Sequence, residues 1–88
     1  MKILFEKKFL KDIEGITNKA IKRQIESVIA GIEKSTELNS LRNLKKLKGH
    51  PFAYRIRVGN YRIGFFYLNQ TIILTRVLDR KDIYKYFP

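Results

Sequence analysis

Apolar residues recur at helical spacing through the first third of the chain. Phe9, Ile13 and Ile16 follow one another at intervals of four and three, around residues 6–15, and Gly15 is a residue type that commonly ends a helix. A longer stripe then repeats at intervals of four, three, one and three, in the order Ile21, Ile25, Val28, Ile29 and Ile32. With Thr17 as the expected N-cap of this second stretch, the pattern predicts two helices joined by a tight turn.

After Pro51 the apolar residues recur at every second position, which is typical of half-buried strands. One alternating run covers residues 54–58 and a second covers residues 61–67, with Gly59 and Asn60 between them. Because both of these residues tolerate positive φ, the pair predicts a hairpin turn. A weaker turn at Asn69 and Gln70 leads into a third β-prone run over residues 71–78. The pattern therefore predicts a three-stranded antiparallel meander.

The remaining segments are short and complete the predicted order of elements. Residues 3–5 are β-prone, residues 35–40 form a polar loop, and residues 79–88 resemble one or two helical turns capped by Asp79. Leucines at positions 41, 44 and 47 alternate with lysines and indicate either a helical turn or an irregular basic segment. The predicted class is α+β: an N-terminal strand, a two-helix hairpin packed on a three- to four-stranded antiparallel sheet, and a short C-terminal helix. At 88 residues, we expect one domain over residues 1–88.

The net charge of +11 is large for this length and is concentrated in the second half of the chain. Residues 1–41 contain eight basic and six acidic side chains, a net of +2, whereas residues 42–88 contain eleven basic and two acidic ones, a net of +9. Clustered cations favour nucleic acid because they release counterions from phosphate backbones. A highly charged solvated surface, or an acidic protein partner, would explain the same imbalance.

The composition also excludes several classes of protein. There are no cysteines, which excludes a disulfide framework and cysteine-based zinc sites and fits a reducing cytoplasm. No apolar run approaches the roughly 18–20 residues that span a membrane, and the charged residues near the N-terminus are unlike a signal peptide. We therefore expect a cytoplasmic protein with no membrane contact, no metal site and no cofactor.

The predicted hairpin sorts its side chains onto two faces. If the turn has two residues, Arg57 pairs with Arg62 and Arg55 with Gly64, so the three arginines share the face opposite the core. Like charges directly opposite each other destabilise a sheet by roughly 0.2–1 kcal/mol, which suggests that an anion is expected there. Gly64 would leave room for a ligand to approach the backbone. Alternatively, the arginines are ordinary solvent-facing residues that protect the sheet from aggregation.

Three segments together resemble the RelE/ParE superfamily of type II toxin–antitoxin toxins. They are Leu47-Lys48-Gly49, the block of residues 54–63 (Tyr-Arg-Ile-Arg-Val-Gly-Asn-Tyr-Arg-Ile) and residues 77–84 (Val-Leu-Asp-Arg-Lys-Asp-Ile-Tyr). The resemblance covers essentially the whole chain and is much more specific to the superfamily than to one branch of it. In the RelE-like branch it implies cleavage of mRNA in the ribosomal decoding site.

The resemblance also implies which residues carry the chemistry. Arg55 and Arg57 match the paired basic positions of one strand, Arg62 the arginine of the next strand, Arg80 the basic residue before the last helix, and Tyr84 the C-terminal tyrosine. The arginines would stabilise the charge that develops when a ribose 2′-hydroxyl attacks the adjacent phosphate. The tyrosine would assist proton transfer or stack on a base. Alternatively, the tyrosine only docks the tail onto the sheet.

Other basic residues have weaker assignments. Four lysines are expected to contact phosphates or, as the alternative, to act only as solubilising charge: Lys45, Lys46, Lys48 and Lys81. His50 is the only histidine of the chain and lies in a turn, where a surface residue without a role is the favoured interpretation and transient approach to a substrate is the alternative.

The resemblance implies partners as well. These are a cognate antitoxin, packing on apolar residues of the arginine face such as Phe66, Ile73 and Val77, and the ribosome with its mRNA. Two other functions remain open. One is a ParE-like inhibitor of DNA gyrase, and the other is a catalytically inactive binding relative.

Overall fold

The computed structural model describes all 88 residues and contains one five-stranded sheet with two helices on one face. The elements in chain order are β1 (Lys2–Phe5), α1 (Lys7–Glu14), α2 (Lys19–Lys34), β2 (Leu44–Lys46), β3 (Ala53–Val58), β4 (Tyr61–Leu68), β5 (Thr71–Asp79) and α3 (Ile83–Tyr86). A single 3-10 turn over Leu38–Ser40 precedes β2. The predicted α+β class is confirmed, with five strands instead of three or four. None of the helices combines the length and apolar character of a membrane span.

The strand order across the sheet is β1-β5-β4-β3-β2. The antiparallel meander β3-β4-β5 is confirmed, and β3 pairs with β4 in the predicted register, with Arg57 opposite Arg62. Gly59 has φ +59, as expected at the first central position of a two-residue hairpin turn. The sheet is not purely antiparallel, because β1 pairs with β5 in parallel. Such a pair needs a long crossover, and α1 and α2 belong to it.

The segment of leucines and lysines forms an edge strand, so the predicted helical turn or irregular structure is wrong. Leu44 lies opposite Ile56 of β3 and packs on the core under the helices. Leu47, three residues later, packs on the other side of the sheet. An odd spacing places two strand residues on opposite faces, and this explains a leucine period that resembles neither a helix nor a one-sided strand.

The helices begin and end close to their predicted bounds. Asn18, not Thr17, caps α2, because its side-chain oxygen accepts a hydrogen bond from the Ile21 N–H at 3.1 Å. The N–H of Gly15 donates to the Lys11 carbonyl at 3.1 Å as α1 ends. The apolar sides of both helices pack on one face of the sheet, and the resulting core includes Phe9, Ile25, Ile32, Ile56, Ile63, Phe65, Ile72 and Leu74.

A β-bulge in β5 changes which residues face this core. The register between β4 and β5 shifts between Gly64 and Phe65, which leaves Thr75 without a partner in β4. Beyond the bulge the alternation is displaced by one residue, so Val77 is 1% exposed in the main core. The prediction that Val77 lies on the arginine face is therefore wrong.

A second, smaller apolar cluster lies on the opposite face of the sheet. Ala53, Ile83 and Phe87 are buried there, with Phe66 and Leu78 packed against them. A Cβ at Gly64 would lie 2.5 Å from a carbon of the Phe87 ring. The space above Gly64 is thus filled by the protein's own C-terminal segment, and the prediction that Gly64 leaves room for a ligand is wrong.

The bulge is held by an ion pair between α1 and β5. Asp12 Oδ2 accepts hydrogen bonds from Arg76 Nε at 2.8 Å and from the Val77 N–H at 3.0 Å, and Asp12 Oδ1 accepts from Arg76 Nη2 at 3.0 Å. The hydrogen bonds that Arg76 donates to Asp12 raise the pKa of Arg76, although burial opposes this rise. The Arg76 guanidinium also lies 5.5 Å from the centre of the Tyr86 ring, which extends the contact to α3.

We expect Asp12→Asn to lower the free energy of unfolding by about 2–3 kcal/mol, since it leaves a half-buried arginine without its counter-ion. For a domain of this size, the melting temperature should fall by roughly 8–20 °C in a thermal denaturation experiment. Asp82→Asn is the matched control, because the Asp82–Lys85 pair is exposed and 3.9 Å long. A similar loss in both variants would contradict the assignment.

Candidate nucleic-acid interface

The sheet and the start of α3 bring five of the predicted site residues together, here called the arginine cluster: Arg55, Arg57, Arg62, Arg80 and Tyr84. Arg55 and Arg57 project from β3 on the face away from α1 and α2, and Arg62 projects beside them from β4. Arg80 follows β5, and its backbone N–H donates to the Asn60 carbonyl at 2.8 Å beside the hairpin turn. Each of the other four lies close enough to influence the pKa of Arg62.

No carboxylate neutralises the arginine cluster. The only ion pairs of the molecule are Arg76–Asp12 and Lys85–Asp82. The hydrogen bonds of the cluster go to neutral groups: Arg62 Nη1 donates to the Gly59 and Tyr61 carbonyls at 3.0 and 2.9 Å. The Nε of Arg55 is buried and has no partner. The cluster therefore presents positive charge to any anion that reaches it.

Electrostatic repulsion within the cluster is visible in the pKa of Arg62. Burial lowers this pKa most, Arg55 lowers it next, and Arg57 and Arg80 lower it further, while Tyr84 opposes them. A guanidinium nevertheless keeps its proton at neutral pH. The folded state therefore holds converging cations at a cost, and a bound phosphate would relieve both the repulsion and the lost solvation.

Asn43 positions two of the arginines and was missed in the sequence analysis. Its backbone carbonyl accepts hydrogen bonds from Arg55 Nη1 at 3.0 Å and from the Arg57 N–H at 3.2 Å. Its side-chain oxygen accepts from Arg57 Nη2 at 3.4 Å. Asn43 has φ 59, a left-handed conformation in which asparagine is enriched. Asn43 could have been placed beside β3 from the sequence only if β2 had been predicted as a strand.

We expect Asn43→Ala to weaken binding of a single-stranded oligonucleotide about three- to tenfold and to lower the free energy of unfolding by about 1 kcal/mol. The alanine loses the side-chain acceptor and strains the left-handed backbone. Asn43→Gly is the matched control, because it keeps the backbone carbonyl and tolerates φ 59. It should recover the stability but not all of the affinity. Unchanged affinity in both variants would exclude a positioning role.

The lysines predicted to contact phosphate lie around the cluster. Lys45 is opposite Arg55 across β2 and β3. Lys45, Lys46 and Lys48 line a groove between the β2–β3 segment and the C-terminal residues, and Tyr84 lines the same groove. Lys81 is exposed in the turn before α3, where its backbone N–H donates to Asp79 Oδ1 at 2.9 Å.

The carboxylates closest in sequence to the arginine cluster line a different part of the surface. Asp79 and Asp82 line a hollow that they share with Asp12 and Tyr61, beside α1. No group of three histidine, cysteine or acidic side chains is arranged to hold a metal ion. The chemistry available at the cluster is therefore that of guanidinium groups and one phenol.

Comparison with known proteins gives one family and several relatives. Residues 3–84 match the family described as ParE toxin of type II toxin-antitoxin system, parDE. The chain is 48% identical over 89 residues to Toxin RelE3 of Methanocaldococcus jannaschii, covering the whole of both proteins.

The solved structures similar to this fold include a close and a distant relative. A chain of the RelB-RelE antitoxin-toxin complex from Methanococcus jannaschii is 46% identical, with a TM-score of 0.81, and the match covers 97% of this chain and 99% of that one. The isolated E. coli RelE toxin is 18% identical, with a TM-score of 0.71, and the match covers 96% and 90% of the two chains. The second likeness concerns the fold alone.

Proposed function

Because this chain belongs to the ParE toxin family of type II toxin–antitoxin systems, within the RelE/ParE superfamily, we propose that it is a ribosome-dependent mRNA endoribonuclease that inhibits translation. One observation carries the proposal: four arginines and a tyrosine converge on one face with no carboxylate to neutralise them. The relative at 48% identity bears the name of a RelE toxin, which favours the RelE-like branch. We propose that residues 1–88 act as one toxin domain in the cytoplasm.

The proposed reaction is the attack of a ribose 2′-hydroxyl on the adjacent phosphorus. The 2′-hydroxyl loses its proton to solvent, the bond from phosphorus to the 5′ oxygen breaks, and the 5′ oxygen takes up a proton, which leaves a cyclic phosphate on one fragment and a hydroxyl on the other. Arg62 is half-buried, so its charge is screened less by water than that of an exposed arginine. Together with Arg55 it would stabilise the extra negative charge of the pentacoordinate phosphorus. Arg57 and Arg80 would hold the flanking phosphates by paired hydrogen bonds.

Tyr84 is proposed to contact the RNA next to the reacting phosphate. Its side chain is 57% exposed, although it adjoins the buried Ile83, so the backbone of α3 is anchored while the phenol is free. The phenol would donate a proton to the departing 5′ oxygen or stack on the neighbouring base. Lys45, Lys46, Lys48 and Lys81 would bind phosphates along the strand and add affinity with little precision.

We also propose that a cognate antitoxin keeps the toxin inactive. The similar chain from Methanococcus jannaschii was solved in a complex of antitoxin and toxin. The net charge of +11 favours an antitoxin segment rich in acidic residues, since opposite charges speed association. Phe66 and Ile73 are half-buried on the second face of the sheet and would add apolar contact.

Cleavage on purified ribosomes tests the proposed function. Translating ribosomes carrying a defined mRNA are mixed with the protein, and the mRNA ends are mapped by primer extension. We expect cuts inside translated codons, made only when ribosomes are present, and their loss when the antitoxin is added. If the mRNA stays intact after incubation with the folded protein, the proposed nuclease activity is wrong.

The ParE description of the matching family favours a second candidate, inhibition of DNA gyrase. To separate gyrase inhibition from mRNA cleavage, the protein is induced in bacteria, and the integrity of the DNA and of the mRNA is followed. Gyrase-linked DNA breaks with intact messages would identify the gyrase inhibitor. Binding of the antitoxin without either effect would identify an inactive binding relative.

A further inference from the structure

A basic groove adjoins the arginine cluster on the side of the β2–β3 turn. Its volume is about 370 Å³, and we call it the lysine groove. One wall is the segment that leaves β2 and the other is the C-terminal end of the chain. Its main lining residues are Lys45, Lys46, Lys48, His50, Tyr84 and Pro88.

Tyr84 connects the lysine groove to the arginine cluster. It lies near Arg62 of the cluster, whose pKa it raises, and it lines the groove as well. A strand of RNA with one phosphate at Arg62 would therefore pass the phenol ring and enter the groove. The lysines of the groove would supply the cations for the next phosphate of the strand.

His50 is available to a ligand in this groove. Its backbone is held by the turn, since its N–H donates to the Leu47 carbonyl at 3.4 Å and its carbonyl accepts from the Ala53 N–H at 3.3 Å. The residue is exposed, and the imidazole makes no hydrogen bond within the protein. Gly49, with φ +77, forms the turn that brings His50 to the groove wall.

We propose that the lysine groove binds the nucleotide adjacent to the reacting phosphate of single-stranded RNA, with its base against the His50 imidazole and its phosphate at Lys45 and Lys48. The proposal rests on the proposed function for the identity of the polymer. It changes the interpretation of His50 from a surface residue without a role to a substrate-binding residue.

The chemistry of the groove favours a nucleotide over an acidic peptide. Carboxylates require only the lysines, whereas an imidazole and a phenol among lysines form a surface that also fits a planar base. Stacking of a base on a ring stabilises single-stranded complexes without selecting one sequence. An acidic antitoxin segment is the other occupant, and the experiment separates the two.

The experiment uses the single histidine of the chain as a probe. Because there is one histidine, its imidazole carbon-bound protons give signals in an NMR spectrum that need no assignment. The full-length protein is titrated with a 2′-O-methyl RNA trinucleotide, which cannot be cleaved because the attacking hydroxyl is blocked. We expect the signals of His50 and Tyr84 to move along one saturation curve, and His50→Ala to weaken the affinity roughly tenfold.

Two variants serve as controls. Lys34→Ala removes an exposed cation at the end of α2, away from the groove lining, and should leave the affinity unchanged. Arg62→Ala should weaken the affinity through the cluster, while the His50 signals still move at a higher trinucleotide concentration. This pattern distinguishes the groove from the cluster.

Each outcome decides between the proposals. The proposed nucleotide site is wrong if the His50 signals stay in place while the trinucleotide binds, or if they move only with a glutamate-rich peptide of equal charge. If the protein binds the trinucleotide through His50 but leaves mRNA intact on ribosomes, the proposed nucleotide site stands and the proposed nuclease activity is wrong. If His50→Ala cleaves mRNA normally and binds the trinucleotide with unchanged affinity, the proposed nuclease activity stands and the proposed nucleotide site is wrong.

Discussion

Replacing Arg62 by alanine is expected to lower the rate of mRNA cleavage on ribosomes by roughly 100- to 1000-fold. The pKa of Arg62 is lowered by burial and by repulsion from Arg55, Arg57 and Arg80, so its guanidinium lies among converging positive charges. Removing it takes away a guanidinium that the Gly59 and Tyr61 carbonyls hold in place and that, in the proposed reaction, would stabilise the charge of the transition state. The rate is measured from the mapped mRNA ends under single-turnover conditions.

Stability separates a direct role of Arg62 from a structural one. The alanine variant loses two hydrogen bonds to backbone carbonyls but also loses repulsion from Arg55 and Arg57, so its free energy of unfolding should stay within about 1 kcal/mol of the wild type. Arg62→Lys keeps the charge without the planar fork and should recover only part of the rate. Arg23→Ala, on the exposed side of α2, should keep the full rate. A cleavage loss that simply follows unfolding would contradict the assignment.

Replacing Phe87 by alanine is expected to lower the free energy of unfolding by about 3–5 kcal/mol. The ring is 2% exposed and packs with Ala53 and Ile83 on the face of the sheet that carries the arginine cluster. Its removal leaves α3 with little apolar contact, so Tyr84 should lose its position and cleavage should fall even at temperatures where the sheet remains folded. Urea denaturation measures the stability, and the ribosome assay measures the activity.

Gly64 provides the matching partner for a double-mutant cycle. A Cβ at this position would lie 2.5 Å from the Phe87 ring, so Gly64→Ala alone should cost about 1–3 kcal/mol by displacing the ring. In the Phe87→Ala background the clash is absent, and the same change should stabilise by about 0.5 kcal/mol, because alanine suits a strand better than glycine. Equal effects of Gly64→Ala in both backgrounds would show that the two residues are not coupled.

The central hairpin was predictable from the sequence because its determinants are local. A two-residue turn, with glycine first, sets which residues pair, and alternation then sets which face each one occupies. Since a shift by one residue would move Arg57 and Arg62 into the core, only one register is compatible with burial. The apolar stripe of α2 was predictable for the same reason, as it depends only on helical spacing.

The edge strand and the bulge were not predictable, because they depend on partners that are distant in sequence. Leu44 and Leu47 serve two different apolar clusters, so their spacing matches no single periodic pattern. Asp12 accepts from Arg76 and from the Val77 N–H across 64 and 65 residues, and this contact accompanies the bulge that turns Val77 toward the core. No local propensity records such a contact.

The arginine face separates most clearly what the sequence determines from what only the tertiary structure determines. Turn chemistry and alternation by themselves determined that Arg55, Arg57 and Arg62 share one side of a sheet, because pairing within a hairpin is a short-range property. Only the tertiary structure decided that this side has no carboxylate, that Asn43 holds two of its arginines, and that Phe87 fills the space above Gly64. It also decided that His50 and Tyr84 line one groove, because chain segments 34 residues apart meet there through packing alone.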